Sequence, residues 1–537
     1  MTYSDRITGL FKPWIRKMCP GGQVYAEHKG ELVYSRCFGY SDIEHNAKIN
    51  ERTIFHVASV SKQFTCICAL ILHERGLLDI DHDVREYIPD LIAFDEPVTI
   101  RDMMNNVSGI RDQWELSILS GIRMQENITQ RDILSLISRQ KKLNFSPRSS
   151  YLYSNSNFSL TSEIVKRISG MPFNDFAGEN VFRPLGMTNT FIREKYDQII
   201  PNRAMSYIDC LDGTFRWKPL NFSNEGATSL HTTAADLIKW LKTFRNPAIC
   251  SRKTIELMLK VPQLTSSDST TYACGIDTGS IKSGDCVYRT LAHEGADQGY
   301  RAIVLTIPDT ELDIAICANV DNVYMAEAAF KMAEIILNPD NSKIKAAATP
   351  KASDQEVRDI SCSAGMYFIN EWCEIAKIEA ENSEYHLIMD DKKAALRLNS
   401  GNCYDVGETG KTLLIEEKNA VLGAGGETNL TLTRLSVPQF SDDDLQDLPG
   451  IYFSDEVESY FEITCEAGTL MMRHKRFGKA PILTLRADIY VCPLEYPVRF
   501  SVSRSDGGKP DGLRIIGHRV KDILFKATEH KDRTQFG

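Results

Sequence analysis

Ser59-Val60-Ser61-Lys62-Gln63-Phe64-Thr65-Cys66-Ile67-Cys68-Ala69-Leu70-Ile71-Leu72 sets a serine and a lysine three positions apart where an apolar helix begins. At that spacing on a helix the two side chains share one face, so the amine can reach the hydroxyl. The macrodipole at a helix start favours negative charge developing on the serine oxygen or on the group it attacks. These are the physical requirements of a serine nucleophile activated by lysine instead of histidine. The same residues permit a plainer account, with Ser59 or Ser61 as an N-cap and Lys62 solvated. A second Ser-x-x-Lys, Ser138-Arg139-Gln140-Lys141, lies in a polar run with no apolar helix after it.

Two further elements follow in a fixed order. Tyr153-Ser154-Asn155 lies in a loop that leads into a helix. His293-Glu294-Gly295 stands just before a strand expected over 302–307. His28-Lys29-Gly30 also reads His-x-Gly, but it precedes the serine and suits the turn of an opening hairpin, 23–26 with 31–34. In this order the three motifs resemble the penicillin-recognising serine hydrolases of the class C β-lactamase type. That group includes D-alanyl-D-alanine carboxypeptidases, esterases and D-aminopeptidases. The resemblance covers roughly residues 20 to 340 and takes in Phe55-His56-Val57-Ala58, Gly76-Leu77-Leu78-Asp79, Val107-Ser108-Gly109-Ile110, Arg183-Pro184-Leu185-Gly186-Met187 and Ser229-Leu230-His231-Thr232-Thr233. One departure is Pro147-Arg148, where the family commonly has Pro-Gly shortly before its tyrosine.

The resemblance implies catalytic roles for Ser59, Lys62, Tyr153, Asn155 and His293, with Gly295 and Ala296 lining the substrate. Ser59 forms an acyl-enzyme. Lys62 takes the serine proton, which requires its pKa to fall from about 10.4 toward neutrality. Tyr153 or Lys62 protonates the leaving group, and Asn155 orients Lys62 and the substrate amide. The backbone N–H groups of Ser59 and Ala296 form the oxyanion hole, and Gly295 admits close approach of the backbone to the substrate. The residues themselves also allow Tyr153 as an interior anchor, Asn155 as a helix cap and His293 as a strand-end histidine. Relatives that hold a substrate carboxylate usually carry lysine where this chain has His293. A histidine, with a reference pKa of about 6.5, is mostly neutral at pH 7 and attracts a carboxylate less.

Composition bounds the alternatives. The 537 residues are too many for one ordinary core. A hydrophobic content of 42% and a charged content of 25% are those of a soluble globular protein. The net charge of −10 is spread without basic or acidic blocks, which argues against nucleic-acid or anionic-membrane partners. No apolar leader or membrane-length stretch is read, and fourteen cysteines without a C-x-x-C pair suggest reduced thiols, hence a cytoplasmic location. Cys66 and Cys68 read as buried small residues. No metal-ligand pattern or cofactor motif is found.

The expected fold is α/β in the broad sense (α+β). Residues 1–340 would form a β-lactamase/transpeptidase-like domain, an antiparallel sheet with helices and an all-helical subdomain. A linker over 341–358 would then lead to two small antiparallel β-barrels, 359–437 and 438–537. Their sign is a repeat: Ala364-Gly365-Met366-Tyr367-Phe368 returns as Pro449-Gly450-Ile451-Tyr452-Phe453. This architecture resembles three-domain D-aminopeptidases. The reading is therefore a serine hydrolase releasing N-terminal D-amino acids from small peptides or amides. A loop near 473–478 or 505–508 of the last domain would wall the cleft, and subunits could pair as a homodimer through sheet edges. The alternatives are a carboxylesterase or acyltransferase on small acyl groups, or a non-catalytic receptor for a peptide or β-lactam.

Overall fold

The computed structural model describes all residues except 1, 91–95, 211–212, 340–362, 382–383, 390–391, 401, 408–410, 417–418, 424–429 and 529–537. The expected linker at 341–358 lies outside the described residues. The chain divides into two compact units. One comprises Met1–Gln113, Met124–Asp209 and Phe215–Lys343; the other comprises Trp114–Arg123, Cys210–Thr214 and Ile344–Gly537.

The first unit is built on alternating apolar residues. Strands β1 (Gly22–His28) and β2 (Glu31–Phe38) form the opening hairpin, turned at Lys29 and Gly30, both left-handed at φ 53 and 81. Near its end the unit adds β3 (Tyr272–Ala273), β4 (Ile276–Ser283), β5 (Cys286–Asp297), β6 (Tyr300–Ile307) and β7 (Leu312–Ala318). The resulting antiparallel seven-stranded sheet runs β3-β4-β5-β6-β7-β1-β2.

Period-two alternation gives the sheet two apolar faces. Ile303, Leu305, Ile314 and Ile316 pack with Met325, Ala329 and Met332 of the helix Met325–Leu337. On the opposite face lie Val304, Ala315 and Cys317, together with Asp313, which pairs with Arg245 just beyond the helix Ala234–Leu241. Between β2 and β3 the chain supplies the helical part: α1 (Ser61–Glu74), α2 (Ile100–Met104), α3 (Gln130–Ser138), α4 (Asn155–Ser169) and α5 (Phe173–Ala177). The residues of α1 from Ser61 to Leu72 are all buried. Cys66 and Cys68 are among them, and burial pushes both thiols up.

In the second unit, eight antiparallel strands between 365 and 434 close into a barrel. Nine more between 450 and 528 form one antiparallel sheet. Its two edge strands, Gly478–Pro481 and Leu483–Arg486, are separated in sequence by Ile482 alone, so the sheet must curl until its edges are neighbours. Leu116 and Leu119 belong to the apolar core of this sheet. The repeat holds in three dimensions. Tyr367 donates to Ser363 O and Tyr452 to Leu448 O, each at 2.7 Å, and both rings are buried. Among the described residues, no helix is long and apolar enough to cross a membrane.

Candidate active site

Ser59 lies in a single 3-10 turn, Ala58–Val60, that runs directly into α1. Ala58 adopts a left-handed φ of 47, uncommon for a residue with a Cβ. The Ser61 hydroxyl holds that turn by donating to Ala58 O (2.5 Å) while accepting the Leu230 N–H (3.1 Å). Ser61 is therefore not an N-cap, and α1 starts without a side-chain cap. Ser59 stays partly exposed while Lys62 is fully buried.

Lys62 Nζ donates to Ser59 Oγ (2.9 Å) and to Ala227 O (2.7 Å). It also lies 5.0 Å from the centre of the Tyr153 ring and 5.3 Å from that of Phe158. The loop supplying the Ala227 carbonyl is pinned beside α1, because Thr65 Oγ1 donates to Gly226 O (2.8 Å). Gly226 is left-handed at φ 86, and a Cβ there would meet Phe158 O at 2.2 Å.

Tyr153 is positioned by Asn106. The N–H of Leu152 reaches Asn106 O (3.0 Å) and that of Ser154 reaches Asn106 Oδ1 (3.1 Å), so the residues on either side of Tyr153 are tied to one buried asparagine. Arg148 takes a left-handed φ of 66 where the family commonly has glycine, and its guanidinium donates to Asp102 (2.8 Å). The loop thus keeps a glycine-like backbone and secures it with an ion pair.

Asn155 opens α4, and both its backbone N–H (2.7 Å) and its side-chain Nδ2 (2.8 Å) donate to Asp112 Oδ2. Ser154, at the N-cap, makes no side-chain cap bond. A carboxylate from elsewhere in the chain therefore caps this helix, where negative charge is favoured. Asp112 was not singled out from the sequence. Its only signal was its place two residues beyond the Val107-Ser108-Gly109-Ile110 stretch.

The His-x-Gly motif lies inside a strand of its own, β5, immediately ahead of β6, the strand expected over 302–307. β4 pairs with β5 only as far as Ala292, so His293 to Asp297 run on beyond the β4 ladder. Alternation along β5 sends Glu294 toward the helix Met325–Leu337, where it accepts the Ala326 N–H (3.0 Å). His293 and Gly295 point the other way, toward the Ser59 turn.

His293 Nδ1 lies 2.6 Å from Glu294 O, which can only accept, so Nδ1 carries the proton. Nε2 then accepts from the Tyr272 hydroxyl at 2.9 Å. Burial, and next the nearby Lys62 ammonium, push the ring down from 6.5 to about 3. His293 is therefore neutral, with both nitrogens engaged. Tyr272, itself fully buried with its phenol pushed well up by burial, is a second residue the sequence did not reveal.

Gly295 is needed for packing within the protein. A Cβ would lie 2.1 Å from Val57 O and 3.2 Å from Ser59 N, so the close approach is between β5 and the serine turn. That approach brings Ala296, the next residue, alongside the Ser59 backbone. Asp297, at the end of β5, receives a hydrogen bond from Thr228 and lies 2.8 Å from His56 Nε2. This binds the strand end to the segment just before Ser59. Ser138, in the second Ser-x-x-Lys, ends α3, and its hydroxyl donates to Ser135 O within its own helix. The one three-residue cluster of metal-type ligands among the described residues is Asp42, Glu44 and His45 in a surface turn, where His45 bonds Asp42.

Ser59, Lys62, Tyr153, Asn155, His293, Gly295 and Ala296 all fall in the first unit. The Beta-lactamase family model matches residues 10–336, more than half of the chain. The chain belongs to the Beta-lactamase family. Two similar curated relatives are D-aminopeptidases. That of Gluconobacter oxydans (strain 621H) is 25% identical over 83% of this chain and 82% of its own length. That of Brucella anthropi is 24% identical over 95% of this chain and 96% of its own length. Among solved structures, the octameric penicillin-binding protein homologue from Pyrococcus abyssi superposes with a TM-score of 0.57. It is 18% identical and covers 80% of this chain and 99% of its own. This Beta-lactamase family member is a serine hydrolase, and the fold expected from its motifs is the fold it has.

Proposed function

We propose that this enzyme is an aminopeptidase or amidase that releases N-terminal D-amino acids from small peptides or amides through an acyl-enzyme. The observation that carries the reading is the buried Lys62 Nζ, held 2.9 Å from Ser59 Oγ and 2.7 Å from Ala227 O. Ser59 Oγ attacks the amide carbonyl and its proton passes along that contact to Lys62. The N–H groups of Ser59 and Ala296 receive the oxyanion; one such donor is worth about 3 kcal/mol. The C–N bond then breaks as the departing amine takes a proton from Lys62 or Tyr153. Water hydrolyses the ester on Ser59 and frees the amino acid. Asn155, anchored on Asp112, steadies the substrate amide.

Two features support the choice of substrate. The neutral His293 supplies no fixed positive charge for a penicillin or peptide carboxylate. The similarity to a D-aminopeptidase runs through both C-terminal β-modules as well as the catalytic part. Buried unpaired thiols such as Cys66 and Cys68 suit a reducing cytoplasm. The closed barrel offers no strand edge, so a homodimer formed through the β-modules would use the nine-stranded sheet. The division at 359–437 and 438–537 is part of the proposal, and limited proteolysis within 341–358 reads it.

The test is hydrolysis of D-Ala-p-nitroanilide, L-Ala-p-nitroanilide and p-nitrophenyl acetate by the native enzyme and Ser59→Ala. Cleavage of the D-amide, lost in the variant, is expected. Ester cleavage alone would replace the proposal with an esterase. Activity surviving Ser59→Ala would remove Ser59 as nucleophile.

A further inference from the structure

A second cleft in the first unit contains two arginines that have no acidic partner within ion-pair distance among the described residues. Arg193 is 1% exposed. Its Nε donates to Lys195 O (3.0 Å) and its Nη1 to Leu220 O (3.2 Å). Its Nη2 has no partner among the described residues. Half-buried Arg203 makes no side-chain hydrogen bond or ion pair among those residues. Both line a cleft of about 380 Å³, counted to its open mouth, and both Tyr300 and Trp217 line it too. None of the residues assigned to the catalytic centre contributes to its wall.

Burying an arginine without a counter-charge is costly, and a second guanidinium beside it adds repulsion. Burial and then Arg203 pull Arg193 down to about 10. Nothing on the Arg193 side relieves this except backbone carbonyls and the longer-range influence of Asp197 and Tyr300. Two guanidinium forks lining one open cleft match the paired oxygens of a carboxylate or phosphate. Beside the polar Ser206 and Asn221, the wall carries the aromatic rings of Tyr196, Trp217 and Tyr300. Tyr300 is buried, its hydroxyl spent on Ala204 O (2.5 Å), so its ring alone faces a ligand. Trp217 is 56% exposed and Tyr196 36%, high values for large aromatic side chains.

We propose that this cleft binds a small planar molecule carrying one carboxylate or phosphate, with the oxyanion on Arg193 and Arg203 and the ring against Trp217 and Tyr300. The site stands independently of the substrate assigned above. It is nevertheless continuous with the catalytic part, because the Tyr300 ring packs 5.4 Å from His56, and His56 Nε2 contacts both Asp297 and Thr228.

The experiment is isothermal titration of the full chain at constant ionic strength with benzoate, phenyl phosphate and inorganic phosphate, followed in parallel by tryptophan fluorescence. Saturable binding of benzoate or phenyl phosphate is expected. It should weaken roughly tenfold or more in Arg203→Glu, persist in Ser59→Ala, and lose its fluorescence change in Trp217→Phe. Because Arg203 is half-buried, that variant tests the site without emptying the buried Arg193 position. Which of the two aromatic ligands binds tells carboxylate from phosphate. No saturable binding of any of the three, or binding that Arg203→Glu leaves unchanged, would overturn the site. Inorganic phosphate binding as tightly as phenyl phosphate would overturn the aromatic half of the proposal.

Discussion

Replacing Gly295 by alanine tests the link between backbone packing and catalysis. The new methyl carbon would lie 2.1 Å from Val57 O and 3.2 Å from Ser59 N. Both neighbours are backbone atoms, so no rotamer change relieves the overlap. Ordinary contact is restored only if β5 and the Ser59 turn separate by about 1 Å, and a displacement of that size at a reacting centre costs about 100-fold. Because Ser59 and Ala296 lie on the two sides of that gap, the move also spoils the proposed two-donor oxyanion hole. Loss of one donor costs about 100- to 1,000-fold in kcat. We therefore expect kcat on D-Ala-p-nitroanilide to fall about 100- to 1,000-fold, with KM changing far less. Overpacking should also lower stability by about 1–3 kcal/mol, read by urea denaturation. Gly178→Ala is the control. It sits at helical φ −58 with nothing within 4 Å of the added methyl, and should be neutral or stabilising. A folded Gly295→Ala enzyme with kcat within about threefold of the native value, under ~0.7 kcal/mol, would refute the argument.

Three further outcomes are expected. Tyr272→Phe leaves His293 Nε2 buried without its donor, which should cost about 1–3 kcal/mol in urea unfolding; an unchanged midpoint would mean that the bond carries no weight. Asp112→Ala removes the shared acceptor of the Asn155 N–H and Nδ2. It should lose about 1–2 kcal/mol, as for a helix cap, and lower kcat as well, and full activity would separate Asn155 from the chemistry. The buried His293 titrates near 3 when folded and at about 6.5 when unfolded. As pH falls below 6.5 the unfolded chain gains a proton that the folded site refuses, so stability drops until about pH 3 and is unaffected above pH 7. The slope per such histidine is at most about 1.4 kcal/mol per pH unit. His56 and His231, both buried and shifted downward, add in the same direction. His293→Gln should make the loss between pH 6 and 4.5 shallower, and an unchanged slope would show that His293 is not the titrating group.

Local pattern accounts for what was legible in advance. The hairpin 23–26 with 31–34 and the strand 302–307 are short apolar stretches bounded by turn residues, and each formed where expected. The repeat succeeded for the same reason: a Gly-x-Tyr strand start must place its tyrosine inward twice. What stayed hidden depends on residues distant in sequence. Asp112 meets Asn155 across 43 positions and Tyr272 meets His293 across 21, and no periodicity marks either partner. Gly295 was legible as a close-approach glycine, but what it approaches, Val57 and Ser59, needed the fold. Arg148 is the converse case, a departure from the family's glycine that still adopts a left-handed turn and carries an ion pair to Asp102.

These hidden partners bear on how a histidine serves at the place where the resemblance implies lysine for carboxylate-holding members of the group. A lysine there would bring a second permanent cation close to Lys62, which would itself favour the unprotonated form of Lys62 and so help it act as a base. His293 gives up that help: its proton is fixed on Nδ1 by the Glu294 carbonyl and its Nε2 is taken by Tyr272. Burial is then left to favour the neutral amine of Lys62, set against the Ala227 carbonyl and the flanking Tyr153 and Phe158 rings, which favour the charged form. Restoring a cation should therefore act twice, easing deprotonation of Lys62 and attracting substrates with a carboxylate. His293→Lys combined with Tyr272→Phe, which makes room and removes the donor facing the new ammonium, tests both. The acid limb of kcat/KM on D-Ala-p-nitroanilide should move to lower pH, and hydrolysis of a carboxylate-bearing ester should rise relative to its neutral methyl ester. A folded double variant with neither change would mean that charge at position 293 does not set the specificity of this cleft.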